Sequence, residues 1–565
     1  MRKASNTLKR IVALVAAFAM ALALVPLQAF AATGTNHTIT VTSQDNASHT
    51  YGAYQLFAGD YADGKLSNVD WGKNFDTTKA ATFIDALKAD NTLKGNTKIA
   101  ALVGTPGEGQ TTSSAADVAD ALSSITNDSA AAQAFAKVVD GYLTGTPTTA
   151  TTNNKVASIT GLDDGYYLVK DTAEVDASKG TVTRLMLEVV GDVTVNAKNS
   201  DVPTVEKKVK DVNDSKATST ADPKNPTDWQ DSADYDIGDS VPFQLTGTVP
   251  AGAANFNTYK YVFHDVMSAG LTFNSSTVKV YSANTDGSDK TEISTGYELV
   301  TTGLTDGCTF EVRFADAKAY AGKTIIVEYS ATLNENAVIG AVGNPNKVQL
   351  EYSNNPNNEG TGKTEWDHTI VFTYKTVVNK VDQGKKSLAG AAFTLYKKYD
   401  ASATLPKNAD GTPVSTVTMK DKDGNDATYV AVKSYTAGTE TSFEFKGLDD
   451  GEYKLVETTT PAGYNSIDPI DFTITAEHTT VFTGLDWATG KSGDNQVLTT
   501  VDFGTLQHSK NDTTGTATVD VENKSGSTLP STGGMGVLPF VLVGCGIAVA
   551  AGIGLHVARS RREDA

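Results

Sequence analysis

The sequence predicts a mainly β protein made of tandem immunoglobulin-like β-sandwich domains, with helical insertions in the N-terminal domain. Short segments of alternating apolar and polar residues recur along the chain, and turns rich in Gly, Asn and Asp separate them. These segments are Val278–Tyr281, Phe310–Phe314, Ile325–Tyr329, Val348–Tyr352, Phe443–Phe445 and Phe472–Ile474. Helical spacing of apolar residues occurs only near the N-terminus, in the sets Phe83, Ile84 and Leu87; Val118, Leu122 and Ile125; and Phe135, Val138, Val139 and Leu143.

A turn motif occurs twice and indicates two related sandwich domains. Residues 161–169 read Gly-Leu-Asp-Asp-Gly-Tyr-Tyr-Leu-Val, and residues 447–456 read Gly-Leu-Asp-Asp-Gly-Glu-Tyr-Lys-Leu-Val. Ser200–Thr204 and Tyr374–Thr376 are candidate linkers, and the polar stretch Asp211–Asp234 predicts a long surface loop. We therefore expect domains at 32–199, 200–373 and 374–528.

Both ends of the chain have the composition of processing segments. Residues 1–31 combine basic residues, the apolar run Ile11–Leu27 and the small-residue site Ala29-Phe30-Ala31, which predicts a signal peptide. At the other end, Leu529-Pro530-Ser531-Thr532-Gly533 precedes an apolar run at 537–558 and a basic tail at 559–565. The apolar run is long enough to cross a bilayer as a helix, and the arginines that follow it favour the cytoplasmic side.

Charge and cysteine content narrow the class of protein. The formal net charge is −19, which argues against nucleic acid or anionic lipid as a partner. The two cysteines are Cys308 and Cys545, and Cys545 falls in the apolar run, so the exported part has no intramolecular disulfide. An exported protein without disulfides must be stabilised by a well-packed hydrophobic core or by another kind of covalent cross-link.

The C-terminal order of pentapeptide, apolar span and basic tail resembles the cell-wall sorting signal of Gram-positive surface proteins. That resemblance implies that a sortase cuts between Thr532 and Gly533 and passes the Thr532 carbonyl to an amine. It also implies an exported protein that a housekeeping sortase can join to peptidoglycan. The precursor is then membrane-anchored, and the mature protein is cell wall anchored.

The domains resemble those of Gram-positive shaft pilins. Tyr54-Gln55-Leu56-Phe57 with the first turn motif looks like their N-terminal domain, and Val205–Tyr352 resembles their isopeptide-forming middle domain. The third domain resembles a collagen-adhesin B-type (CnaB-like) domain through Val378–Asp382, Leu388–Ala391, Val456-Glu457, Pro461–Tyr464 and Asn523. The resemblance implies spontaneous Lys–Asn isopeptide bonds within the domains.

That reaction needs a neutral lysine, an asparagine and a protonated acid in a dry core, since burial lowers a lysine pKa and raises a carboxyl pKa. Alternate side chains of a strand point to the same face, so residues separated by an even number of positions are in phase. Each candidate reactive residue can therefore be tested, because it should be in phase with apolar neighbours. In the third domain Lys380 is in phase with Val378, Glu457 with Tyr453 and Leu455, and Asn523 with Val519 and Val521. We assign Lys380 as nucleophile, Asn523 as electrophile and Glu457 as acid.

The middle domain offers a second set. Lys207 is in phase with Val205 and Val209, Asn346 with Val348 and Leu350, and Asp265 with Tyr261 and Phe263. We assign Lys207, Asn346 and the acid Asp265, with Asn344 or Asn354 as alternative acceptors and Asp236 or Asp239 as alternative acids. The first domain lacks a lysine in its first strand, Thr38–Thr42, and the position matching Glu457 is Asp171 without a gap or Lys170 with one. We predict no cross-link there.

Shaft pilins join head to tail through a lysine that must be exposed. Lys198 alternates with Val193, Val195 and Ala197, which predicts that its side chain points to solvent. It lies where shaft pilins often carry a Tyr-Pro-Lys-Asn motif, of which only Lys198-Asn199 is present. We predict Lys198 as the polymerising lysine, with Lys208 and Lys210 as exposed alternatives nearby.

The seven histidines show no zinc spacing, and no phosphate loop or Ser-His-Asp pattern is present, so we expect no metal, no cofactor and no turnover enzyme. The leading hypothesis is a structural pilus shaft subunit, whose partners are a pilin-type sortase, other copies of itself, ancillary pilins and peptidoglycan. The alternative is a wall-anchored adhesin, or a tip or basal pilin, that binds host glycan or matrix protein. The absence of a long stalk between Asn523 and Leu529 favours the shaft.

Overall fold

The structure, a computed structural model, describes residues 36–526 except 63–64, 128, 173–179, 184–185, 190–191, 217–228, 357–359, 408–410 and 507–508. The predicted signal peptide, sorting motif, apolar span and basic tail lie outside the described residues. Within the described ranges, no helix is long and apolar enough to cross a membrane. The fold is mainly β, as predicted, and its helices of eight or more residues all lie before residue 141.

The N-terminal part of the structure, residues 36–199, combines two small sheets with four helices. Its elements are β1 (His37–Thr42), β2 (Thr50–Ala62), β3 (Lys65–Trp71), α1 (Ala80–Ala89), α2 (Thr97–Ala101), α3 (Ala115–Leu122), α4 (Ala130–Asp140), β4 (Thr148–Thr151), β5 (Val156–Leu162), β6 (Gly165–Asp171), β7 (Met186–Val189) and β8 (Val193–Asn196). One sheet has the strand order β5-β1-β8, and the other has the order β3-β2-β6-β7 with β4 paired to β2.

The larger sheet of this part is buried on both faces. One face packs against the β5-β1-β8 sheet through residues such as Ile39, Tyr51 and Val169. The other face carries Leu56 and Phe57 and packs against the helices. The three predicted helices correspond to α1, α3 and α4, whose apolar stripes face this core, as their spacing predicts.

The middle part, residues 200–373, is a sandwich of two large sheets. Its strands are β9 (Val205–Lys210), β10 (Trp229–Gln230), β11 (Ser232–Asp234), β12 (Ser240–Thr248), β13 (Tyr261–Met267), β14 (Leu271–Ala283), β15 (Thr291–Glu292), β16 (Glu298–Val300), β17 (Phe310–Phe314), β18 (Thr324–Leu333), β19 (Asn344–Asn355), β20 (Gly360–Lys363) and β21 (Asp367–Phe372). The sheet orders are β10-β9-β12-β18-β14-β15 and β11-β21-β19-β13-β17-β16, with β20 paired to β19. The aromatic-rich core lies between them.

The C-terminal part, residues 374–526, is a second two-sheet sandwich. Its strands are β22 (Tyr374–Asp382), β23 (Ala392–Tyr399), β24 (Thr416–Lys420), β25 (Asp426–Ser434), β26 (Ser442–Leu448), β27 (Gly451–Thr459), β28 (Ile470–His478), β29 (Lys491–Ser492), β30 (Asn495–Gln496), β31 (Leu498–Asp502), β32 (Ser509–Asn511) and β33 (Thr516–Asn523). The sheets run β26-β22-β33-β32 and β24-β25-β23-β27-β28-β31, and β29 pairs with β30. First strand β22 and last long strand β33 pair in parallel.

Two local predictions are wrong. Tyr374–Thr376 is the beginning of β22 rather than a linker, because Tyr374 is fully buried in the core of the C-terminal sandwich. The stretch Asp211–Asp234 is not one surface loop, since it contains β10 and β11, whose Ser232–Asp234 is buried. Ser232 of β11 hydrogen-bonds to His478 of β28 at 2.7 Å, and Asp234 Oδ1 lies 3.8 Å from Nε2 of the same histidine.

Candidate functional site

The first site lies between the two sheets of the middle part. Lys207 of β9 points from one sheet into the core, and Asp265 of β13 and Asn346 of β19 point from the other. All three residues have no exposed surface. Period-2 alternation explains this placement, because the in-phase neighbours of each residue belong to the same apolar core.

The polar groups of this site form one hydrogen-bonded cluster centred on a tyrosine. The Lys207 Nζ donates to Asp265 and, at 2.7 Å, to the hydroxyl of Tyr329 on β18. Tyr329 donates to Asp265 Oδ2 at 2.8 Å, and Asn346 Nδ2 donates to the Tyr329 hydroxyl at 3.0 Å. The acid, the amine and the amide therefore share one small polar pocket.

The surroundings favour a neutral amine and a neutral acid. The Lys207 Nζ lies 5.3 Å from the ring centroids of both Phe243 and Tyr329. Burial lowers the pKa of Lys207, although the charge of Asp265 opposes this shift. Burial likewise raises the pKa of Asp265 against the opposing effect of Lys207. Both shifts go in the direction that amine attack on an amide requires.

Two buried oxygens in this pocket have no hydrogen-bond partner among the described residues, namely Asp265 Oδ1 and Asn346 Oδ1. A buried acceptor without a partner is costly, so the pocket is organised for a donor that those two oxygens can share. A protonated Asp265 supplies such a donor, because its hydroxyl can donate to the Asn346 carbonyl. That contact polarises the amide carbon toward a nucleophile.

The second site lies in the C-terminal sandwich and repeats this composition. Lys380 of β22, Glu457 of β27 and Asn523 of β33 have buried side chains. The Lys380 Nζ lies 3.9 Å from Glu457 Oε1 and donates to the backbone oxygen of Val521 at 2.8 Å. Asn523 Nδ2 donates to Glu457 Oε2 at 3.1 Å. Burial lowers the pKa of Lys380 against the opposing charge of Glu457.

The second site also contains two buried acceptors that lack a partner in the described structure, Glu457 Oε1 and Asn523 Oδ1. Glu457 Oε2, in contrast, accepts from Thr460 at 3.1 Å and from the backbone of Ile467 at 3.3 Å. These contacts fix the carboxyl group between the lysine and the asparagine. Both sites thus pair a lysine with an acid beside an asparagine that has an unpartnered carbonyl oxygen.

The alternative acids and alternative acceptor asparagines of the middle part differ from the assigned residues in their hydrogen-bond partners or in their burial. Asp236 pairs with Lys397 of β23, and Asp239 accepts from the backbone of Asp236, so neither contacts Lys207 in the hydrogen bonds described. Asn344 is buried, but its amide bonds the backbone of Val338 and Val371. Asn354 is only partly buried.

The N-terminal part carries a related but altered cluster. Gly161 and Gly447 have φ angles of 78° and 76°, and both turn motifs have a tyrosine whose hydroxyl donates to a backbone oxygen four residues earlier, at 2.8 Å. This ungapped match places Asp171 at the position of Glu457. Asp171 is buried and accepts from His49 Nδ1 at 3.0 Å.

An asparagine and a serine complete this cluster. Asn199 follows β8, which pairs in parallel with β1 as β33 pairs with β22. Extending both registers places Asn199 at the position of Asn523 and Ser43 at that of Lys380. Asn199 Nδ2 donates to Ser43 Oγ at 2.8 Å. A serine therefore occupies the place of the lysine, and the absence of a Lys–Asn bond in this part stays a prediction.

Two further residues, His49 and Asp45, belong to this cluster, and Ser43 Oγ donates to Asp45 Oδ1 at 3.1 Å. His49 Nε2 lies 2.7 Å from Asp45 Oδ1, and both residues are fully buried. Although burial alone lowers it, hydrogen bonds and charges of Asp171 and Asp45 raise the pKa of His49 to about 9. The N-terminal cluster thus keeps an acid and an asparagine, and it has an imidazolium ion paired with Asp171 and Asp45 where the other two sites have a lysine.

The lysines considered for polymerisation are half-buried rather than fully exposed. Lys198 lies in the segment after β8, whereas Lys208 pairs with Asp231 at 2.7 Å and with Glu206 at 3.0 Å. The Lys210 Nζ lies 4.9 Å from the ring centroid of Trp229. The full exposure predicted for Lys198, Lys208 and Lys210 is therefore wrong, because all three are half-buried.

Sequence reasoning missed Tyr329 and Thr460, which contact the acids of the two sites. Tyr329 is in phase with Ile325 and Val327 on β18, so its pattern matches any core tyrosine, and no local signal marks its hydroxyl as part of the site. Thr460 lies just beyond β27, where a threonine is common for many reasons.

Comparisons with known proteins agree with this architecture. Residues 237–356 match the Cna-B-like domain of Gram-positive pilin backbone subunit 2, and residues 375–486 match the SpaA prealbumin-like fold domain. The chain is 27% identical over 367 residues to the trypsin-resistant surface T6 protein of Streptococcus pyogenes serotype M6. That match covers 58% of this chain, and it spans 65% of the length of the T6 protein.

Among solved structures, this chain matches two pilins. The T6 backbone pilin of Streptococcus pyogenes has 17% identity and a TM-score of 0.48, with 87% of this chain and 99% of that chain covered. The major pilin SpaD of Corynebacterium diphtheriae has 16% identity and a TM-score of 0.45, with coverages of 87% and 98%. The chain is thus similar to a Gram-positive pilin backbone domain in its middle part, to the SpaA domain in its C-terminal part and to the T6 protein over 367 residues.

Proposed function

We propose that this protein is the shaft subunit of a covalently polymerised pilus on a Gram-positive cell surface. In this proposal it has three domains, at 32–199, 200–373 and 374–528. The two buried sets of lysine, acid and asparagine carry the proposal, because an ordinary core gains nothing from three such groups. Internal cross-links serve a protein that bears tension along its length.

Each set forms one isopeptide bond without a partner enzyme. In the middle domain the neutral Lys207 Nζ attacks the side-chain carbonyl carbon of Asn346, while Asp265 in its acid form donates to the carbonyl oxygen. A C–N bond to lysine forms, the bond to the amide nitrogen breaks, and ammonia leaves with a proton that came from the lysine. Asp265 passes that proton and ends in its acid form, so atoms and charge balance.

The C-terminal domain follows the same chemistry with Lys380, Asn523 and the acid Glu457. Each bond closes a loop of about 140 residues, for which chain entropy gives a stabilisation on the order of 5 kcal/mol. The bond between Lys380 and Asn523 joins strands β22 and β33, which lie side by side in one sheet. Force that enters at β22 and leaves at β33 then passes through the bond rather than through the sheet.

Polymerisation follows from the sorting motif. A pilin-type sortase cleaves between Thr532 and Gly533, holds the Thr532 carbonyl as a thioester and transfers it to Lys198 of the next copy. The position of Lys198-Asn199 at the end of the first domain, where shaft pilins often carry a Tyr-Pro-Lys-Asn motif, favours Lys198 over Lys208 and Lys210. Ancillary pilins join the same polymer, and a housekeeping sortase attaches its base to peptidoglycan.

The test is expression of the full chain with its pilin-type sortase in a Gram-positive host, followed by denaturing electrophoresis of the cell-wall fraction. We expect a ladder of covalent multimers. Lys198→Ala should abolish the ladder, and Lys208→Ala and Lys210→Ala, as matched controls, should retain it. A wall-linked monomer under all conditions would contradict the shaft proposal and favour the wall-anchored adhesin.

A further inference from the structure

The outer face of the middle sandwich brings together four side chains of the kinds that bind transition metals. His264 of β13 and Glu311 of β17 face each other across the strand pair, on the face opposite to Asp265. Asp306 and Cys308 come from the segment that leads into β17. One ligand atom from each of the four residues lies within 4.8 Å of the others.

The imidazole is the centre of this cluster. His264 Nδ1 lies 2.9 Å from Asp306 Oδ2, 3.1 Å from Glu311 Oε1 and 3.7 Å from Cys308 Sγ. These spacings suit four ligands that surround one small ion. His264 and Glu311 are buried, with 5% and 4% exposed surface, and Cys308 is partly exposed, which leaves the loop side open for entry of an ion.

A second ring of contacts orients the ligands. His264 Nε2 lies 3.1 Å from Glu351 Oε2, so a proton on Nε2 leaves the Nδ1 lone pair facing the cluster. A carboxylate behind the metal-binding histidine is a usual feature of zinc sites. Arg313 donates to Glu311 Oε2 and leaves Oε1 directed at His264.

We infer that His264, Asp306, Cys308 and Glu311 form a binding site for one divalent transition-metal ion of the zinc class. The set of one imidazole, one thiolate and two carboxylates suits such an ion, whereas Mg²⁺ and Ca²⁺ prefer oxygen ligands alone. The bound ion offsets the negative charge of the thiolate and carboxylates. The site would fasten the segment before β17 to the sheet, with no part in the proposed cross-linking chemistry.

Histidine spacing in the sequence gave no indication of this site. Its ligands lie 42 to 47 positions apart from His264 along the chain, and only the pairing of β13 with β17 brings them together. Cys308 is also the cysteine that sequence analysis left without a disulfide partner. A thiol retained in an exported protein is accounted for if it binds a metal ion.

The first experiment is equilibrium dialysis of the untagged, purified protein against zinc, with metal content measured by mass spectrometry. We expect about one zinc ion per chain, and Cys308→Ser should weaken binding by at least about tenfold, since it removes a ligand. Glu351→Gln should weaken binding by about 10- to 100-fold, because it acts through the orientation of His264. As a matched control, His478→Gln, at a second His–carboxylate cluster with Asp211 and Asp234, should leave binding unchanged.

A second measurement uses the thiol itself. In a Cys545→Ala background, zinc should slow the reaction of Cys308 with a thiol reagent by at least about tenfold, consistent with a metal-bound thiolate. A chelator should restore the rate, and Mg²⁺ or Ca²⁺ should have no effect. The proposal would be overturned if Cys308→Ser left the zinc content unchanged or if zinc were lost only in His478→Gln. It would also be overturned if zinc did not change the rate of the thiol reaction. The four residues would then be an ion-pair cluster only.

Discussion

Two buried lysines of this protein show how neighbours decide the charge of an amine. Lys207 lies between two aromatic rings and has Asp265 as its carboxylate, and burial lowers its pKa. Lys397 is also buried, and burial alone lowers its pKa, but the charges of Asp236, Asp449 and Asp214 raise it well above the usual value. These charges favour the ammonium form of Lys397, whereas the lowered pKa of Lys207 favours the neutral amine that the proposed bond requires.

The acid of the middle site gives a residue-scale prediction. Asp265→Asn keeps the shape of the side chain but removes the carboxyl proton, so the bond between Lys207 and Asn346 should not form. The intact mass of the variant should then show the loss of one ammonia molecule, from the C-terminal site. Asp239→Asn, a change at the other candidate acid, should show the loss of two, and one loss in Asp239→Asn would reassign the acid.

The pKa of His49 gives a pH prediction. The folded pKa is raised from 6.5 to about 9, so the ion pairs with Asp171 and Asp45 contribute their full stability below pH 6.5. That stability is lost as the pH rises through about 9. Thermal unfolding of the N-terminal part should shift to lower temperature over this window, and His49→Gln should flatten the dependence. An equal pH dependence in both proteins would contradict the assignment.

At the scale of elements, the pairing of β22 with β33 explains how the proposed bond between Lys380 and Asn523 would stabilise the C-terminal domain. These are the first strand and the last long strand of the C-terminal sandwich, and in their register Lys380 is opposite Val521, two residues before Asn523. A bond between them fixes both ends of the domain to each other. In the middle part the proposed bond would instead connect β9 to β19, which lie in different sheets.

Loss of the Lys380 bond should cost stability on the order of 5 kcal/mol, because the unfolded domain regains a loop of about 140 residues. We expect Lys380→Ala to lower the denaturant midpoint of the C-terminal domain strongly. Lys386→Ala changes an exposed lysine near the same strand and should have little effect. Similar midpoints for the two variants would indicate that no bond forms at Lys380.

Strand parity predicted much of the fold and the location of both lysine sites, because side-chain alternation is a local property of the chain. Lys380, Glu457 and Asn523 are buried as their neighbours indicate. Long-range contacts were not predictable in the same way. The hydroxyl of Tyr329 and the four residues around His264 meet only after distant strands pair, and Tyr374 looked like a linker residue because its neighbours are polar.

At the scale of the whole molecule, the middle and C-terminal parts share a polar and close-packed contact. Asn213 donates to the Asp450 backbone oxygen at 2.8 Å, and Lys397 pairs with Asp236 from the other part. The Ile237 backbone N–H donates to the Gly447 oxygen at 3.1 Å. These contacts place the second turn motif directly against the middle sandwich.

Alanine substitutions at two glycines can distinguish the stability contributed by this contact from the cost of a left-handed backbone conformation. Gly447 has φ +76°, and a Cβ there would lie 2.6 Å from Ile237, whereas Gly424 has φ +82° and open space around it. Gly424→Ala should cost about 1–2 kcal/mol for the left-handed conformation alone. Gly447→Ala should cost about 1–3 kcal/mol more through overpacking. Equal losses of unfolding free energy in the two variants, measured by denaturant unfolding, would show that the Ile237 side chain moves aside without an energetic cost.

The intact mass of the purified protein, followed by mapping of its cross-linked peptides after digestion, tests the central claim most directly. The account predicts a mass lower by two ammonia molecules, with peptides that join Lys207 to Asn346 and Lys380 to Asn523. It predicts no cross-linked peptide from the N-terminal part, where Ser43 stands in the lysine position. A folded protein with its full unmodified mass would contradict the account.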